Sequence, residues 1–406
     1  MPAFEGLVSI LGPKGRVWSL AYSRFCLYFC KELSYRQAAY LMNTVLHRSK
    51  EDSLKANTLA EFVDRVGSNI EDYLHAVSEA ILKEHHFEQE TAWAEGEPSI
   101  HDVVAQPKSP HEQKLWEDEI SKKVEEINAQ REPREQIRNL EYFPHMESSQ
   151  EKCCYISIDE IGVKHQKETR KGGGDKNGKY VQNTVVHIQS GDAIYYLTAS
   201  SMDTAFRMLV AFLQSNNLTL GYSLVFLADG AKNIKNYIEK YFSFHPYTLV
   251  LDWYHLKKKC KELISSALGG TKKQKSDYTR ILLRMLWVGN VKEAISYLNR
   301  LDGSCIKSSH WLGELIGYLE RKEPQIVCYA LRHGIGLRIS SNRVEKANDL
   351  LVAQRQKDNG MSWSLAGSSS LASITMVIQN NEIDQWLRTQ SLAFSMPGSM
   401  PGMVAA

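Results

Sequence analysis

The sequence predicts an α/β protein in which a mixed β-sheet with a helical insertion follows an all-helical N-terminal segment. Three observations support this class. Stretches rich in β-branched and aromatic residues are concentrated between residues 153 and 251. Helical spacing of apolar residues dominates before that region and resumes over 257–338. With 406 residues the chain is long enough for two or three domains.

The composition is that of a folded globular protein. Hydrophobic residues make up 43% and charged residues 24%, which excludes extensive disorder. No apolar run approaches the roughly 18 residues that a membrane span needs, so we expect no membrane partner. The seven cysteines show no C-x-x-C spacing, which favours reduced thiols in an intracellular protein. The formal charge of +2 leaves local charge to indicate a partner.

The N-terminal part has a helix-turn-helix pattern with an extended turn. Ser34 is a candidate N-cap for a helix that begins at Tyr35. After Lys55 a short amphipathic helix is expected to end near Gly67.

Charge divides this part of the chain. Residues 1–70 carry nine Lys/Arg and six Asp/Glu, whereas residues 71–105 carry one Lys and nine acidic residues. A basic helical head therefore precedes an acidic connector. Residues 110–141 are dense in both charges, and we expect an exposed, bridging helix there.

The β-rich region predicts three strands, a helix, a strand, a helix and a strand. The first three strands can form an antiparallel meander, while the last two need parallel crossovers. This is the order of a ribonuclease H-like core. The predicted strands are 155–159, 181–189, 193–199, 223–228 and 247–251, and the predicted helices are 203–216 and 231–242. The glycine-rich run 172–178 is expected to be a hairpin tip.

We expect six segments along the chain. They are a helix-turn-helix-like DNA-binding domain (1–75), an acidic connector with a charged helix (76–150), the ribonuclease H-like core (151–256), a helical insertion (257–338), the last core helix from Asn342 to about Gln356 with the C-terminal part (339–394), and a disordered tail (395–406).

Three carboxylates lie where such a core would hold a metal. Asp159 lies near the end of the first strand, Asp229 directly follows the strand 223–228, and Glu345 lies on the last core helix. An acidic residue that ends an apolar strand either faces solvent or is compensated by a cation. Three such residues fit a site for two Mg²⁺ ions about 4 Å apart, which can stabilise the attacking and leaving oxygens of a phosphodiester displacement. Three unrelated surface acids are the alternative.

Neighbouring acids compete for these roles. Glu160 follows Asp159, but alternate residues of a strand face opposite sides, so the two cannot share one site. Asp349 lies one turn after Glu345 and could replace it. Asp252 ends the last strand and competes with Asp229.

Four motifs in this order resemble DDE transposases, in the style of Mutator-like and related bacterial insertion-sequence transposases. They are Tyr-Ile-Ser-Ile-Asp-Glu ending at Glu160, Phe-Leu-Ala-Asp-Gly-Ala around Asp229, Leu-Asp-Trp-Tyr-His from Leu251, and Ser-Asn-Arg-Val-Glu ending at Glu345. These transposases place Cys/Asp-x-x-His after the second Asp, matched by Asp252 and His255. They also have a helical insertion before the final Glu and often a downstream Gly-x-x-Trp, matched by Gly360 and Trp363. The resemblance covers about residues 150–365.

The resemblance implies that Asp159, Asp229 and Glu345 are catalytic ligands of two Mg²⁺ ions, for which Mn²⁺ would substitute. Asp252 and His255 would be a supporting motif, although His255 also fits an ordinary helix-start or core histidine. The implied function is transposition: binding of the ends of a mobile element, hydrolysis of a phosphodiester, and strand transfer. The expected partners are double-stranded DNA and a second copy of the chain, because two DNA ends must be joined. We expect a cytoplasmic protein, associated with the nucleoid if the host is bacterial.

Two basic stretches are candidates for phosphate contact. Residues 163–180 have a net charge of +4 and residues 257–275 a net charge of +6. Lys257, Lys258 and Lys259 directly follow His255, where they would neutralise the DNA backbone near the site. Solvated charge runs are the alternative.

Sequence-specific contacts would come from the second N-terminal helix entering the major groove. Its candidate base-contacting residues include Asn57, Thr58 and Arg65. A helical packing module without a DNA role is the alternative.

Three other functions fit the same sequence. One is a nuclease with the ribonuclease H fold, which strand-transfer products would distinguish. Another is a transposase-derived DNA-binding regulator without catalysis. The last is a helical scaffold with an incidental α/β domain, for which DNA binding would be absent or insensitive to salt.

Overall fold

The computed structural model describes residues 9–11, 17–85, 87, 110–138, 153–166, 179–219, 222–243, 245, 247–357 and 361–398. The strands are β1 (Ser9–Leu11), β2 (Val17–Ser19), β3 (Cys153–Lys164), β4 (Tyr180–Ser190), β5 (Ala193–Ala199), β6 (Ser223–Ala228) and β7 (Tyr247–Leu251). The N-terminal and core helices are α1 (Leu20–Glu32), α2 (Tyr35–Val45), α3 (Ala56–Glu84), α4 (Pro110–Ala129), α5 (Met202–Ser215) and α6 (Lys232–Phe242).

The remaining helices follow β7. They are α7 (Trp253–Ala267), α8 (Lys272–Trp287), α9 (Val291–Asn299), α10 (Ser309–Lys322), α11 (Tyr329–Gly334), α12 (Asn342–Asn348), α13 (Gln354–Gln356), α14 (Leu365–Gln379) and α15 (Ile383–Thr389). A π-helical turn, Asp349–Ala353, joins α12 to α13, so the predicted last core helix is continuous.

The central sheet has five strands in the order β5-β4-β3-β6-β7. β3, β4 and β5 pair antiparallel, and β6 and β7 pair parallel to β3 and to each other. The predicted α/β class is confirmed, as are the antiparallel meander and the two parallel crossovers. The hairpin β1–β2 was not predicted.

Helices cover both faces of this sheet because side chains alternate along each strand. On one face Ile156 and Phe226 share a hydrophobic core with α5, α6 and the N-terminal helices. On the other face Tyr155 and Leu227 pack with α7 to α10. The predicted helical insertion is therefore the layer that covers the second face.

The N-terminal helices differ from prediction in length and packing. Ser34 is the N-cap of α2, as predicted, and it also forms a capping box with Gln37. The second helix, however, does not end near Gly67: α3 continues to Glu84, so the predicted boundary at residue 75 lies inside it. A Cβ at Gly67 would lie 2.4 Å from Ser370, so glycine here allows α3 to cross α14 closely. Helices α1 to α3 share the core of the sheet's first face.

The C-terminal tail is ordered further than predicted. Met396 is buried, and its N–H donates to Asn216 Oδ1 at 2.8 Å. Residues 399–406 lie outside the described residues, as do most of the acidic connector, the hairpin tip 172–178 and Gly360. Of the helices that the structure describes, none has the length and apolarity needed to cross a membrane. All seven cysteines are free thiols.

Candidate active site

The adjoining strands β3 and β6 bring Asp159 and Asp229 together, although Asp159 lies in the middle of β3 rather than near its end as predicted, because β3 continues to Lys164. In the parallel register Ser157 pairs with Leu227. Asp159 and Asp229 each lie two residues further along, and therefore on the same face of the sheet. That face is the one covered by the helical insertion, since Tyr155 and Leu227 belong to its core. The predicted juxtaposition of these carboxylates follows from the register.

Glu160 points to the opposite face, as predicted. Its Oε2 accepts a 2.9 Å hydrogen bond from Asn233 of α6, which packs on the first face of the sheet. Glu160 is therefore separated from the site by the strand itself.

The Asp159 carboxylate interacts with each of the other two predicted ligands, Asp229 and Glu345. Its Oδ1 accepts from the Glu160 N–H at 2.8 Å, and its Oδ2 accepts from Asn348 Nδ2 at 2.7 Å. Burial raises the pKa of Asp159, and the negative charges of Asp229 and Glu345 raise it further, while the two hydrogen bonds oppose this. Carboxylates from two strands and one helix thus act on each other.

Helix α12 brings Glu345 to this edge, since it packs against β3 and β4. The Glu345 side chain is 57% exposed, so it reaches the solvent side of the site. Asp349, the predicted competitor, is exposed at the start of the π-helical turn. The helix contact to Asp159 comes instead from Asn348, one turn after Glu345.

Asn348 is a site residue that the sequence analysis missed. It is only 6% exposed. Its Oδ1 is buried and, within the part of the chain that the structure describes, has no hydrogen-bond partner. A buried amide oxygen without a donor is costly, so Asn348 Oδ1 is free to accept from a group bound beside Asp159. Its spacing of three residues from Glu345 was the available signal.

Asp252 and His255, the residues of the predicted supporting motif, lie together at the start of α7. Asp252 is 2% exposed, and its Oδ1 accepts from the His255 N–H at 2.8 Å, capping α7. Its Oδ2 accepts from the Ser341 N–H at 2.5 Å and from Ser341 Oγ at 3.1 Å. Both carboxylate oxygens of Asp252 thus accept hydrogen bonds that connect the start of α7 to Ser341, the residue before α12. The geometry therefore favours Asp229 over Asp252 as a metal ligand.

The His255 ring lies between two carboxylates. Its Nδ1 is 3.3 Å from Asp252 Oδ1, and its Nε2 is 3.9 Å from Glu345 Oε1. Neither distance corresponds to a hydrogen bond, since Nδ1 has no hydrogen-bond partner among the described residues and Nε2 is too far from Glu345. His255 is thus a residue of the first turn of α7 that lies beside the Glu345 carboxylate.

A cation lies beside Asp229. Lys322 Nζ donates to the carbonyl oxygen of Gly230 at 2.7 Å. Burial lowers the pKa of Lys322, and Lys235 lowers it further, whereas the charge of Asp229 opposes the shift. The insertion thus supplies part of the positive potential at this edge.

Trp363 of the predicted Gly-x-x-Trp motif holds the site elements together. Its N–H donates to the carbonyl oxygen of Lys164 at 2.8 Å, and its Nε1 donates to that of Gln356 at 3.0 Å. It therefore fixes the end of β3 to the helix that follows Glu345.

The oxygen donors at this edge are of the chemical type that a hard divalent cation prefers, namely carboxylate and amide oxygens. They are the carboxylates of Asp159, Asp229 and Glu345 and the unpartnered Oδ1 of Asn348. Among the described residues, no three His, Cys, Asp or Glu side chains are close enough together to form a metal-binding group. Like charges repel, and a cation is what would allow them to approach.

The predicted DNA-contacting residues form two groups on different helices, α7 and α3. Lys258 and Lys259 are exposed on α7, and Lys257 is half-buried. Asn57 is exposed and Thr58 half-buried on the first turn of α3. The Arg65 guanidinium lies over the Phe62 ring at 5.9 Å, so its side chain takes part in packing.

The fold and site define an α/β protein with one carboxylate on a central strand, another directly after the adjoining strand, and an acid-bearing helix after an insertion. Comparisons with protein-family models, with curated proteins and with solved structures found no match.

Proposed function

We propose that the protein is a DDE-type DNA transposase of an insertion sequence, with a ribonuclease H-like catalytic core. One observation carries this proposal: Asp159, Asp229 and Glu345, from two adjoining parallel strands and the helix after the insertion, interact electrostatically at one sheet edge. The strand order and the four motifs that resemble these transposases support it.

The three carboxylates would hold two Mg²⁺ ions, and Asn348 Oδ1 offers a further oxygen ligand. When bound, the ions would stabilise charge on the attacking and leaving oxygens of a phosphodiester. Asp252 would fix the position of α7 relative to α12, and His255 would hold the Glu345 carboxylate toward the site. Mn²⁺ is expected to substitute.

The reaction has two in-line displacements. In the first, a water oxygen attacks phosphorus at the element's end and the 3′ oxygen leaves, which yields a 3′-hydroxyl and a 5′-phosphate. In the second, that 3′-hydroxyl attacks a phosphodiester of target DNA, and the displaced 3′ oxygen takes up the proton. Double-stranded DNA is thus the substrate, and a homo-oligomer, at least a dimer on DNA, would bring two ends together.

The test is cleavage of labelled DNA that contains the sequences flanking this gene, with Mg²⁺, by the wild type and by Asp159→Asn. Asp192→Asn is the matched control, because Asp192 is exposed in the β4–β5 turn. Strand-specific nicking at the element boundary, lost only in Asp159→Asn, is expected.

Other outcomes identify the alternatives. Nicking without strand-transfer products would indicate a nuclease. Sequence-specific binding without cleavage by the wild type would indicate a regulator and would overturn the enzymatic proposal. Absent DNA binding would leave a scaffold.

A further inference from the structure

A concave surface of a different character lies in the helical insertion. It is a cleft of about 920 Å³ between α7, α8 and the segment that ends α4. On α7 the lining residues Lys257, Lys261 and Ser265 follow the i, i+4, i+8 spacing of one helix face. Two helices and a third segment thus enclose a space within the usual size of ligand sites, about 300–1,000 Å³. We call it the cationic cleft.

The charge of the cationic cleft is strongly unbalanced. Among the described residues that line it, Glu135 is the one acid, and it is buried and pairs with Arg284 at 3.5 Å. Arg280 pairs with Asp277 at 2.9 Å. Among the described residues, no carboxylate lies within ion-pair distance of the remaining lining cations. These cations are Lys257, Lys261, Lys272, Lys275 and Arg131. Five positive charges around one cavity repel each other unless an anion occupies it.

Two indole side chains also form part of the wall of the cationic cleft, and the Tyr329 ring covers some of their surface, with centroids 4.9 Å from Trp253 and 6.1 Å from Trp287. Trp253 and Trp287 line it and are both half-buried, with ring centroids 4.7 Å apart and planes inclined by 62°. Ile264 and Leu283 add apolar surface beside them. Indole faces stack on nucleobases, and lysines neutralise phosphates. The combination matches a ligand with a planar ring and several negative charges.

We propose that the cationic cleft binds a nucleotide unit, with its phosphates on the lysines and its base against the indoles. This nucleotide unit is either a free nucleoside triphosphate or part of a DNA strand. Both present the same groups to the cleft, namely phosphates and a base. Lys258 and Lys259 do not line the cleft. Lys257 of the same predicted DNA-contacting run does line it, so the cleft adjoins the DNA backbone that these residues would contact in the proposed transposase.

Two probes test the proposal with the full chain: a fluorescent analogue of adenosine triphosphate and a short labelled oligothymidine, each titrated at low salt. The double variant Lys261→Glu with Lys272→Glu reverses two charges at exposed cleft positions. The control, Lys292→Glu with Lys307→Glu, makes the same change at exposed positions of the insertion outside the cleft. Thermal melting verifies that both variants fold.

We expect the cleft variant to bind at least about tenfold more weakly and the control to change by no more than about twofold, with affinity falling as salt rises. Binding of the triphosphate analogue would identify a free nucleotide as ligand, and binding of the oligonucleotide alone would identify a DNA strand. No binding of either probe by the wild type, or equal loss in both variants, would overturn the proposal.

An indole variant tests the role of the base. Trp287→Leu should weaken binding of the triphosphate analogue. It should leave the affinity for inorganic tripolyphosphate, measured by competition, unchanged, because only the base would contact the indole. Equal weakening of both would contradict base stacking. Neither assay measures cleavage, and Asp159→Asn should retain probe binding. Failure of the proposed transposase activity therefore leaves this result interpretable.

Discussion

Asn348 Nδ2 donates a 2.7 Å hydrogen bond to Asp159 Oδ2, which joins helix α12 to strand β3 across 189 residues of sequence. The contact fixes the distance between the strand that carries Asp159 and the helix that carries Glu345. It also orients the buried Oδ1 of Asn348 beside the carboxylates. A neutral amide is suited to this place because a fourth carboxylate would add repulsion.

Replacement of Asn348 tests this arrangement. Asn348→Ala is expected to weaken Mn²⁺ binding about 10–100-fold, the usual cost of losing a residue that orients metal ligands. Calorimetric titration with Mn²⁺ measures it without cleavage. The control is Asn342→Ala at the exposed start of the same helix. Unchanged Mn²⁺ affinity in Asn348→Ala would remove Asn348 from the site.

The raised pKa of Asp159 predicts how pH affects the metal-free protein. Because burial, Asp229 and Glu345 raise that pKa, the folded chain holds the Asp159 proton more tightly than the unfolded chain does. The stabilising contribution is full below the pKa of an unfolded aspartate and is lost as pH rises through the folded value. In EDTA, Asp159→Asn should therefore gain free energy of unfolding relative to wild type at pH 7 but not at pH 3.

Urea denaturation at both pH values measures this difference, with Asp192→Asn as the exposed control. Mg²⁺ should stabilise the wild type at pH 7 and leave Asp159→Asn unchanged, since bound ions stabilise only the state that binds them. Equal stabilisation of both proteins would show that Asp159 is not a ligand.

Asp252 is predicted to position the site rather than to bind metal. Asp252→Asn replaces an acceptor by a donor opposite the Ser341 N–H, and an unsatisfied buried group costs about 1–3 kcal/mol. We expect lower stability and slower cleavage with Mn²⁺ binding retained, whereas Asp229→Asn should lose Mn²⁺ binding. The control is Asp302→Asn, an exposed cap that accepts from the Ser304 N–H. Loss of Mn²⁺ binding in Asp252→Asn would make Asp252 the ligand instead.

The strands of the sheet were predictable because their apolar runs are short and bounded by turn residues. The strands Ser223–Ala228 and Tyr247–Leu251 match the predicted bounds. The register then places Asp159 level with Asp229, so the strand carboxylates of the candidate site followed from the same pattern.

Helix α14 near the C-terminus and the long helix α3 were harder to predict from the sequence. Helix α14 is buried on nearly every side, so its apolar residues show no helical periodicity. Its serines, including Ser368 and Ser370, are of a type common in loops, but here they hydrogen-bond to Asn183 and to Asp64 in the interior. Gly67 read as a helix end because glycine commonly follows one, whereas here it allows two helices to meet.

The close crossing at Gly67 gives a prediction about stability. In Gly67→Ala the new Cβ would lie 2.4 Å from Ser370, so α3 and α14 must separate. Overpacking of this kind costs about 1–3 kcal/mol, and the gain of about 1 kcal/mol in helix propensity offsets part of it. The matched control is Gly313→Ala in α10, where no atom lies within 4 Å of the added Cβ and the free energy of unfolding should increase. Urea denaturation compares them, and a stabilised Gly67→Ala would contradict the crossing.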